Sequence, residues 1–289
     1  GSALHDLTIT STIRDYHKTI MSCLPVVKTG PGTLLLAGAN DYSGPTIVSN
    51  GVLLVNGSLT STNTGLVHAF AGLGGTGRLS DGTFALANNA TLTPGDPAEN
   101  DGIGTLKFCN LTVATNVWYQ CDYGVSSSDH VNVTNDLTLP DRLTVCMSPV
   151  GGAPLPSEIV LFSANTLTRT PDFSKWEIIG CEGTVAIRDN THVVLTITGG
   201  SADTTYFWDA NGAAAGAGGT TPSGSWDGVS LVWNTDFHGG AGIFTNLTAV
   251  TDRLCFSAGL EATGTYLVDL GGGTRSAGTL MFKNGVATL

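Results

Sequence analysis

Charge is scarce in these 289 residues: Asp, Glu, Lys and Arg together make up 12%, and only 12 side chains are Lys or Arg. The 23 acids give a formal net charge of -11. With the few cations dispersed, there is no basic stripe to neutralise a phosphate backbone, so no nucleic-acid partner is expected. Long apolar runs are missing too. None approaches the roughly 18 residues of a membrane span, and Gly1-Ser2-Ala3-Leu4 lacks the charged and apolar regions of a signal peptide. The six cysteines (Cys23, Cys109, Cys121, Cys146, Cys181, Cys255) stand far apart, without Cys-x-x-Cys or paired histidines. That spacing argues against a zinc site. Lone buried thiols are favoured over bridges, with one or two disulfides left open. No metal or cofactor is expected.

What is present is glycine, 39 residues of it, with Thr, Ser and Asn filling much of the remainder. This suits a sheet surface hydrated by small hydroxyl and amide groups and disfavours helix. Leu7–Ile13 alternates apolar and polar residues as an opening strand. Then Gly32-Thr-Leu-Leu-Leu-Ala-Gly38, Thr46-Ile-Val48 and Val52-Leu-Leu-Val55 follow one another, punctuated by Gly38, Asn40, Gly44, Asn50, Gly51 and Gly57. The step from Gly32 to Gly51 is 19 residues, and looser phrases recur at 77–82, 86–92 and 104–113. Periods near 20 belong to solenoids, and the longer period and signature of propellers are missing. Residues 129–147 read as three more short strands. Pro140, Pro149, Pro154 and Pro156 mark a break, and 171–179 reads as a loop or small helical turn that protrudes. Val185–Ile187 and Val193–Ile197 resume the strand rhythm. Residues 210–224 have the composition of a flexible linker, yet Trp208, Trp226 and Trp233 bracket them, and clustered Trp signals packing.

The phrase Gly32-Thr-Leu-Leu-Leu-Ala-Gly-Ala-Asn-Asp-Tyr-Ser-Gly-Pro-Thr-Ile-Val-Ser-Asn-Gly-Val-Leu-Leu-Val-Asn-Gly57 resembles the autotransporter-associated β-strand repeat. Leu92-Thr-Pro-Gly-Asp96 with Gly104-Thr-Leu106, and Ser128-Asp-His-Val-Asn-Val133, are similar to phrases of the same exported passenger proteins. The likeness is strong over 28–57 and looser elsewhere. It implies an extracellular right-handed parallel β-helix, and it brings no catalytic residues. Six cysteines are unusual for such passengers, and no membrane barrel follows the repeats, so the chain is expected to be a piece of a longer protein or to be exported differently.

Catalytic and ligand-binding patterns are thin. Gly74-Gly-Thr-Gly-Arg-Leu79 and Gly239-Gly-Ala-Gly-Ile-Phe244 place Leu79 and Phe244 where a calcium-binding nonapeptide needs a carboxylate. Asp96, Glu99 and Asp101 share a loop but read better as solvated turn acids than as a calcium site. The histidines (His5, His17, His68, His130, His192, His238) are scattered, with no nucleophile elbow or zinc-binding pair. Asp129 with His130 and Asp236 with His238 are the candidate acid–base pairs should neighbouring coils assemble a glycan-cleaving site, turn and cap roles being the default. Five Asn-x-Ser/Thr sequons, at Asn56, Asn89, Asn110, Asn132 and Asn246, follow from Asn and Thr richness. Trp208, Trp226 and Trp233 are the candidate ligand-binding residues, as a sugar-stacking platform, with packing the favoured alternative because Trp buries so much area.

The expected fold is all-β, a right-handed parallel β-helix (β-solenoid) with a Gly/Ala/Trp-containing insertion: 1–200 solenoid, 201–235 insertion or junction, 236–289 further coils. At ~20 residues per coil and ~4.8 Å per coil, such a rod has about 14 coils and a length near 65 Å. The expected function is a structural or adhesive segment of a bacterial surface or secreted fibre, non-enzymatic, with a carbohydrate-active enzyme or glycan-binding module as the alternative. Its expected partners are other copies or flanking repeats, joined through open β-edges and able to stack head to tail into a filament, and surface glycans.

Overall fold

The computed structural model describes residues 5–15, 24–60, 64–200, 205–214, 216–240, 242–259, 261–283 and 285–289. The chain is all-β: among the described residues, helix is limited to three short 3-10 turns. Two compact units are present, His5–Gly200 and the residues from 201 onward.

In His5–Gly200 the chain alternates between two sheets. One has eight strands, Leu7–Ile9, Thr33–Leu36, Val52–Val55, Gly72–Gly75, Thr91–Pro94, Val117–Tyr123, Leu143–Pro149 and Glu177–Ile179, every neighbouring pair parallel. The other runs from Val26–Lys28 through Thr46–Val48, Gly65–Val67, Arg78–Leu86, Thr105–Val113 and His130–Thr138 to Glu158–Leu167, also parallel. Each strand pairs with its counterpart one winding later. Leu34 lies beside Leu53, Leu53 beside Leu73 and Leu73 beside Leu92, steps of 19, 20 and 19 residues. Beyond that the windings widen: Leu92 pairs with Tyr119 and Tyr119 with Val145, steps of 27 and 26.

Such stacking turns sequence repetition into side-chain ladders. Val48, Val67, Leu86 and Val113 align across the second sheet, all buried, as do Leu106, Val131 and Phe162. Removing these columns from water is the main stabilising term, at roughly 25 cal/mol per Å² of apolar surface. Where turns cross from sheet to sheet, backbones approach so closely that only glycine fits. A Cβ on Gly57 would lie 2.0 Å from the Gly38 carbonyl oxygen, and one on Gly77 2.2 Å from that of Gly57. The column Gly38, Gly57, Gly77 therefore records one crossing per winding.

The polar letters of the repeat have equally local duties. Asn40 is buried; its Oδ1 accepts from the Ile13 N–H, and its Nδ2 donates to the carbonyls of Gly38 and Ser58, joining three successive windings. Tyr42 is buried with its hydroxyl 2.6 Å from Thr46 Oγ1. Lys28 is 8% exposed, and its Nζ donates to the carbonyls of Thr29, Gly30 and Asn50 at 2.7–3.1 Å. Burial pushes its pKa below the ordinary lysine value, although Asp6 acts in the opposite direction.

The strands at 181–200 depart from the expected parallel rhythm. Cys181–Arg188 and His192–Gly200 form an antiparallel hairpin whose second strand pairs antiparallel with Glu158–Leu167. The cause is local: in the three-residue connection 189–191, Asp189 and Asn190 both take positive φ, 53° and 57°, and the Thr191 N–H donates to the Arg188 carbonyl, a tight turn that reverses the chain instead of carrying it round. By contrast, the protruding turn expected at 171–179 is present, as a 3-10 turn at Phe173–Lys175 started by Asp172, whose side chain accepts from the Ser174 N–H.

The unit from 201 onward has its own pair of sheets. Thr205–Trp208, Arg253–Phe256 and Thr279–Phe282 are parallel neighbours in one, flanked by the antiparallel strands Trp233–Asn234 and Phe244–Thr245. Gly224–Ser225, Thr265–Asp269 and Val286–Thr288 form the other, all parallel. The Gly/Ala-rich stretch is tied down, contrary to its linker-like composition: the N–H groups of Gly218 and Gly219 donate to Glu261 Oε1, and Ala217 is fully buried.

Candidate functional site

Where three successive turns leave the second sheet of His5–Gly200, they frame a surface cleft of about 460 Å³. Register brings them together, since Thr112 lies beside Thr138 and Leu137 beside Leu167. Val113, Leu139 and Pro140 are among its lining residues but are themselves buried. Pro140 is held from behind, its carbonyl accepting from buried Trp176 Nε1 at 3.0 Å. Polar and charged groups, Thr115, Thr138, Asp141, Arg142, Arg169 and Lys175, complete the lining. Asp141 pairs with the Arg169 guanidinium and accepts from the Asp172 N–H at 2.9 Å. The hydrogen bond from Arg169, ahead of that from Asp172, holds the Asp141 pKa down at about 2. Lys175 pairs with Asp172 at 3.0 Å. Arg142 is exposed and makes no ion pair among the described residues.

The three tryptophans singled out from the sequence come together, but in the interior. Trp208 and Trp233 are fully buried and Trp226 is 4% exposed. Trp233 meets Trp208 and Trp226 edge to face at 5.3 and 5.2 Å, with Phe256 5.1 Å away. Trp208 Nε1 donates to the Pro222 carbonyl at 2.7 Å. Ring faces used this way are covered by other rings and leave no open surface for a sugar to stack on.

The acids have structural partners. Asp96 is fully buried: its Oδ1 accepts from the Ala98 N–H and lies 2.8 Å from His5 Nε2, while its Oδ2 accepts from Asn56 Nδ2 at 2.6 Å. Asp129 is buried with its two oxygens accepting from the N–H groups of Gly104 and Asp122. Burial, reinforced by Asp122, raises its pKa well above the ordinary carboxylate value. The neighbouring His130 turns to Ser163 Oγ, 3.0 Å away, and burial lowers its pKa. Asp236 accepts from the N–H groups of His238 and Gly240 within one turn. Asp129 and His130 thus engage different partners.

Among the described residues no group of three or more His, Cys, Asp or Glu side chains is disposed to hold a metal ion, and no helix is long and apolar enough to cross a membrane. Cys109, Cys121, Cys146, Cys181 and Cys255 are unbridged, and burial raises the Cys121 thiol pKa well above its ordinary value. Cys23 and His17 lie outside the described residues.

Sequence reasoning passed over the turn cleft. Residues 113–115, 138–142 and 169–175 carry no shared motif, and Arg142, Arg169 and Lys175 are dispersed along the sequence, so only the register of the windings brings them together.

Two likenesses to known proteins bear on identity. The passenger-associated-transport-repeat family matches residues 26–55, the stretch that holds Asn40, Tyr42, Thr46 and the crossing glycine Gly38 described above. Over 81 residues the chain is 40% identical to an extracellular serine protease of Serratia marcescens; that stretch is 28% of this chain and spans 7% of the relative. The chain thus carries a passenger-associated transport repeat at residues 26–55, and both likenesses point to a place outside the cell or at the cell surface.

Proposed function

We propose that the chain is a right-handed parallel β-helical passenger segment that works as a rigid spacer, holding whatever is joined to it away from the cell surface. The observation that supports this most is the parallel pairing of strands with their counterparts one winding later, repeated in both sheets as far as residue 179. Right-handedness follows from the near-universal hand of parallel crossover connections. Stiffness follows from the architecture: each winding adds about 4.8 Å and hydrogen-bonds both neighbours along its length. The matched repeat belongs to the passenger portion of exported proteins and brings no catalytic residues, and the protease activity in the relative's name belongs to that relative. Negative-stain electron microscopy of the purified chain tests the reading: elongated particles of constant width support it, and round particles overturn it.

Self-association is the finer part of the proposal. Leu7–Ile9 and Thr279–Phe282 are edge strands of their sheets. Phe282 stacks on Phe256 at 5.1 Å while remaining 55% exposed, and Leu280 and Val286 are exposed beside it in the sequence. Open edges with apolar surface favour pairing with another chain. Light scattering across a dilution series should show growth in mass with concentration; a constant monomer mass rejects the filament and leaves the spacer.

A further inference from the structure

We propose that the hairpin formed by Trp233–Asn234 and Phe244–Thr245, with the segments entering and leaving it, is a lateral docking face for a second copy of this chain, the two copies being related by a two-fold axis. The proposal goes beyond head-to-tail growth and does not depend on it: that contact uses Thr279–Phe282, whereas Phe244–Thr245 is the opposite edge of the same sheet. Five aliphatic side chains stand open here, Val229, Leu231, Ile243, Leu247 and Val250, each 59–78% exposed. They belong to segments that are tied together. Ile243 and Leu247 flank the edge strand, and the Asn246 side-chain amide donates to the carbonyls of Gly228 and Val229 at 3.0 and 3.4 Å, holding the incoming segment against the outgoing one.

Area, charge and backbone each select a second copy as the occupant. The five side chains offer on the order of 600 Å² per copy, so a pair covers ~1,200 Å², above the roughly 1,000 Å² that a specific interface needs. A net charge of -11 makes copies of the chain repel one another. Between 228 and 250, however, Asp236 is the one Asp, Glu, Lys or Arg, and its two oxygens accept from the N–H groups of His238 and Gly240. Two like-charged copies therefore meet here at least cost. Phe244–Thr245 pairs on one side only, with Trp233–Asn234. Its open side calls for hydrogen-bonding groups, which another strand supplies and a hydrocarbon surface does not. The segment also lacks the Lys and Arg that would hold it to anionic headgroups. An edge strand laid antiparallel to its own copy across a two-fold axis covers both patches at once, and such a pair is closed, with no further growth through that edge.

Amide hydrogen exchange and sedimentation of the full chain across a dilution series test the pairing. Protection at 243–247 should rise with concentration as the pair forms. Leu280→Asp, which puts a charge on the opposite edge and so silences head-to-tail growth, should still pair, with the mass stopping at twice that of the chain. Ile243→Asp combined with Leu247→Asp should weaken association at least tenfold and abolish the rise in protection. Both side chains are exposed, so the double variant should keep the parent's thermal midpoint at a dilution where each is monomeric, which separates a lost contact from a lost fold. Vesicles of zwitterionic phosphatidylcholine supply the membrane alternative. Growth through Thr279–Phe282 alone would leave exchange at 243–247 independent of concentration, and that result would overturn the proposal. So would a monomeric Leu280→Asp chain, parental association in the double variant, or protection brought by vesicles and not by concentration.

Discussion

At the scale of single residues, fit of backbone against backbone decides more than side-chain chemistry. Gly57→Ala would put a methyl group 2.0 Å from the Gly38 carbonyl oxygen and 2.7 Å from the Ala37 carbonyl, backbone that cannot move aside as a side chain would. It should cost about 3 kcal/mol by urea unfolding, at the upper end of overpacking effects. Gly199→Ala, whose nearest neighbour would be a flexible Glu182 oxygen at 3.7 Å, should be within ~0.5 kcal/mol of the parent. Asp209 offers a titration test. Burial raises its pKa from 3.8 to about 6, against the opposing hydrogen bond from Asn234. An acid with a raised folded pKa binds more protons folded than unfolded between those two values. Its contribution is therefore complete below pH 3.8 and is lost as pH rises through about 6. Asp209→Asn should flatten that segment of the thermal midpoint against pH profile, and an unchanged slope would assign it to another group. Tyr42 and Thr46 stood out in the sequence as letters of the repeat, whereas Asn40, expected at a turn, lies buried in the strand Ala39–Asn40 with its amide bonded across three windings. Lys28 did not stand out: a lone lysine beside a turn reads as solvated, and only the convergence of the Thr29, Gly30 and Asn50 carbonyls gives it a buried role.

At the scale of elements, turn chemistry decides whether a strand continues the stack or folds back. The parallel windings leave through glycine crossings; the hairpin at 181–200 reverses at Asp189-Asn190, both with positive φ. Asn190→Gly should be neutral or slightly stabilising, since glycine accepts that geometry freely. Asn190→Val should cost about 1–2 kcal/mol, the penalty of a left-handed conformation for a branched residue. Urea midpoints of the two variants check this, and equal midpoints would mean that the turn does not govern the reversal. The alternation of Val185–Ile187 and Val193–Ile197 announced strands but not their direction, because period-two patterning is the same in parallel and antiparallel pairs. The Trp-rich element carries a parallel lesson. Trp233 touches Trp208, Trp226 and Phe256, so Trp233→Ala should destabilise the unit from 201 onward by about 3–5 kcal/mol. The loss would be read as a lower unfolding midpoint of the near-ultraviolet aromatic signal.

At the scale of the whole molecule, stability should be graded by position in each sheet. Val117–Tyr123 and Leu143–Pro149 are paired on both sides and rich in buried residues, whereas Phe244–Thr245 and Val286–Thr288 are short edge strands. Amide exchange should be slowest in the first pair and fastest in the second. Uniform protection along the chain would show that the windings open together and not singly. Sequence alone determined the β character and the first windings of 19 to 20 residues, because these rest on local periodicity and on glycines demanded at the crossings Gly38, Gly57 and Gly77, and the phrase at 26–55 carried the likeness to the transport repeat. Only tertiary structure decided that 181–200 turns back, that Trp208, Trp226 and Trp233 face inward, and that Arg142, Arg169 and Lys175 share a cleft. Each of these depends on which distant segment register places alongside, and windings of 26 or more residues with no fixed period leave no trace of that in the sequence.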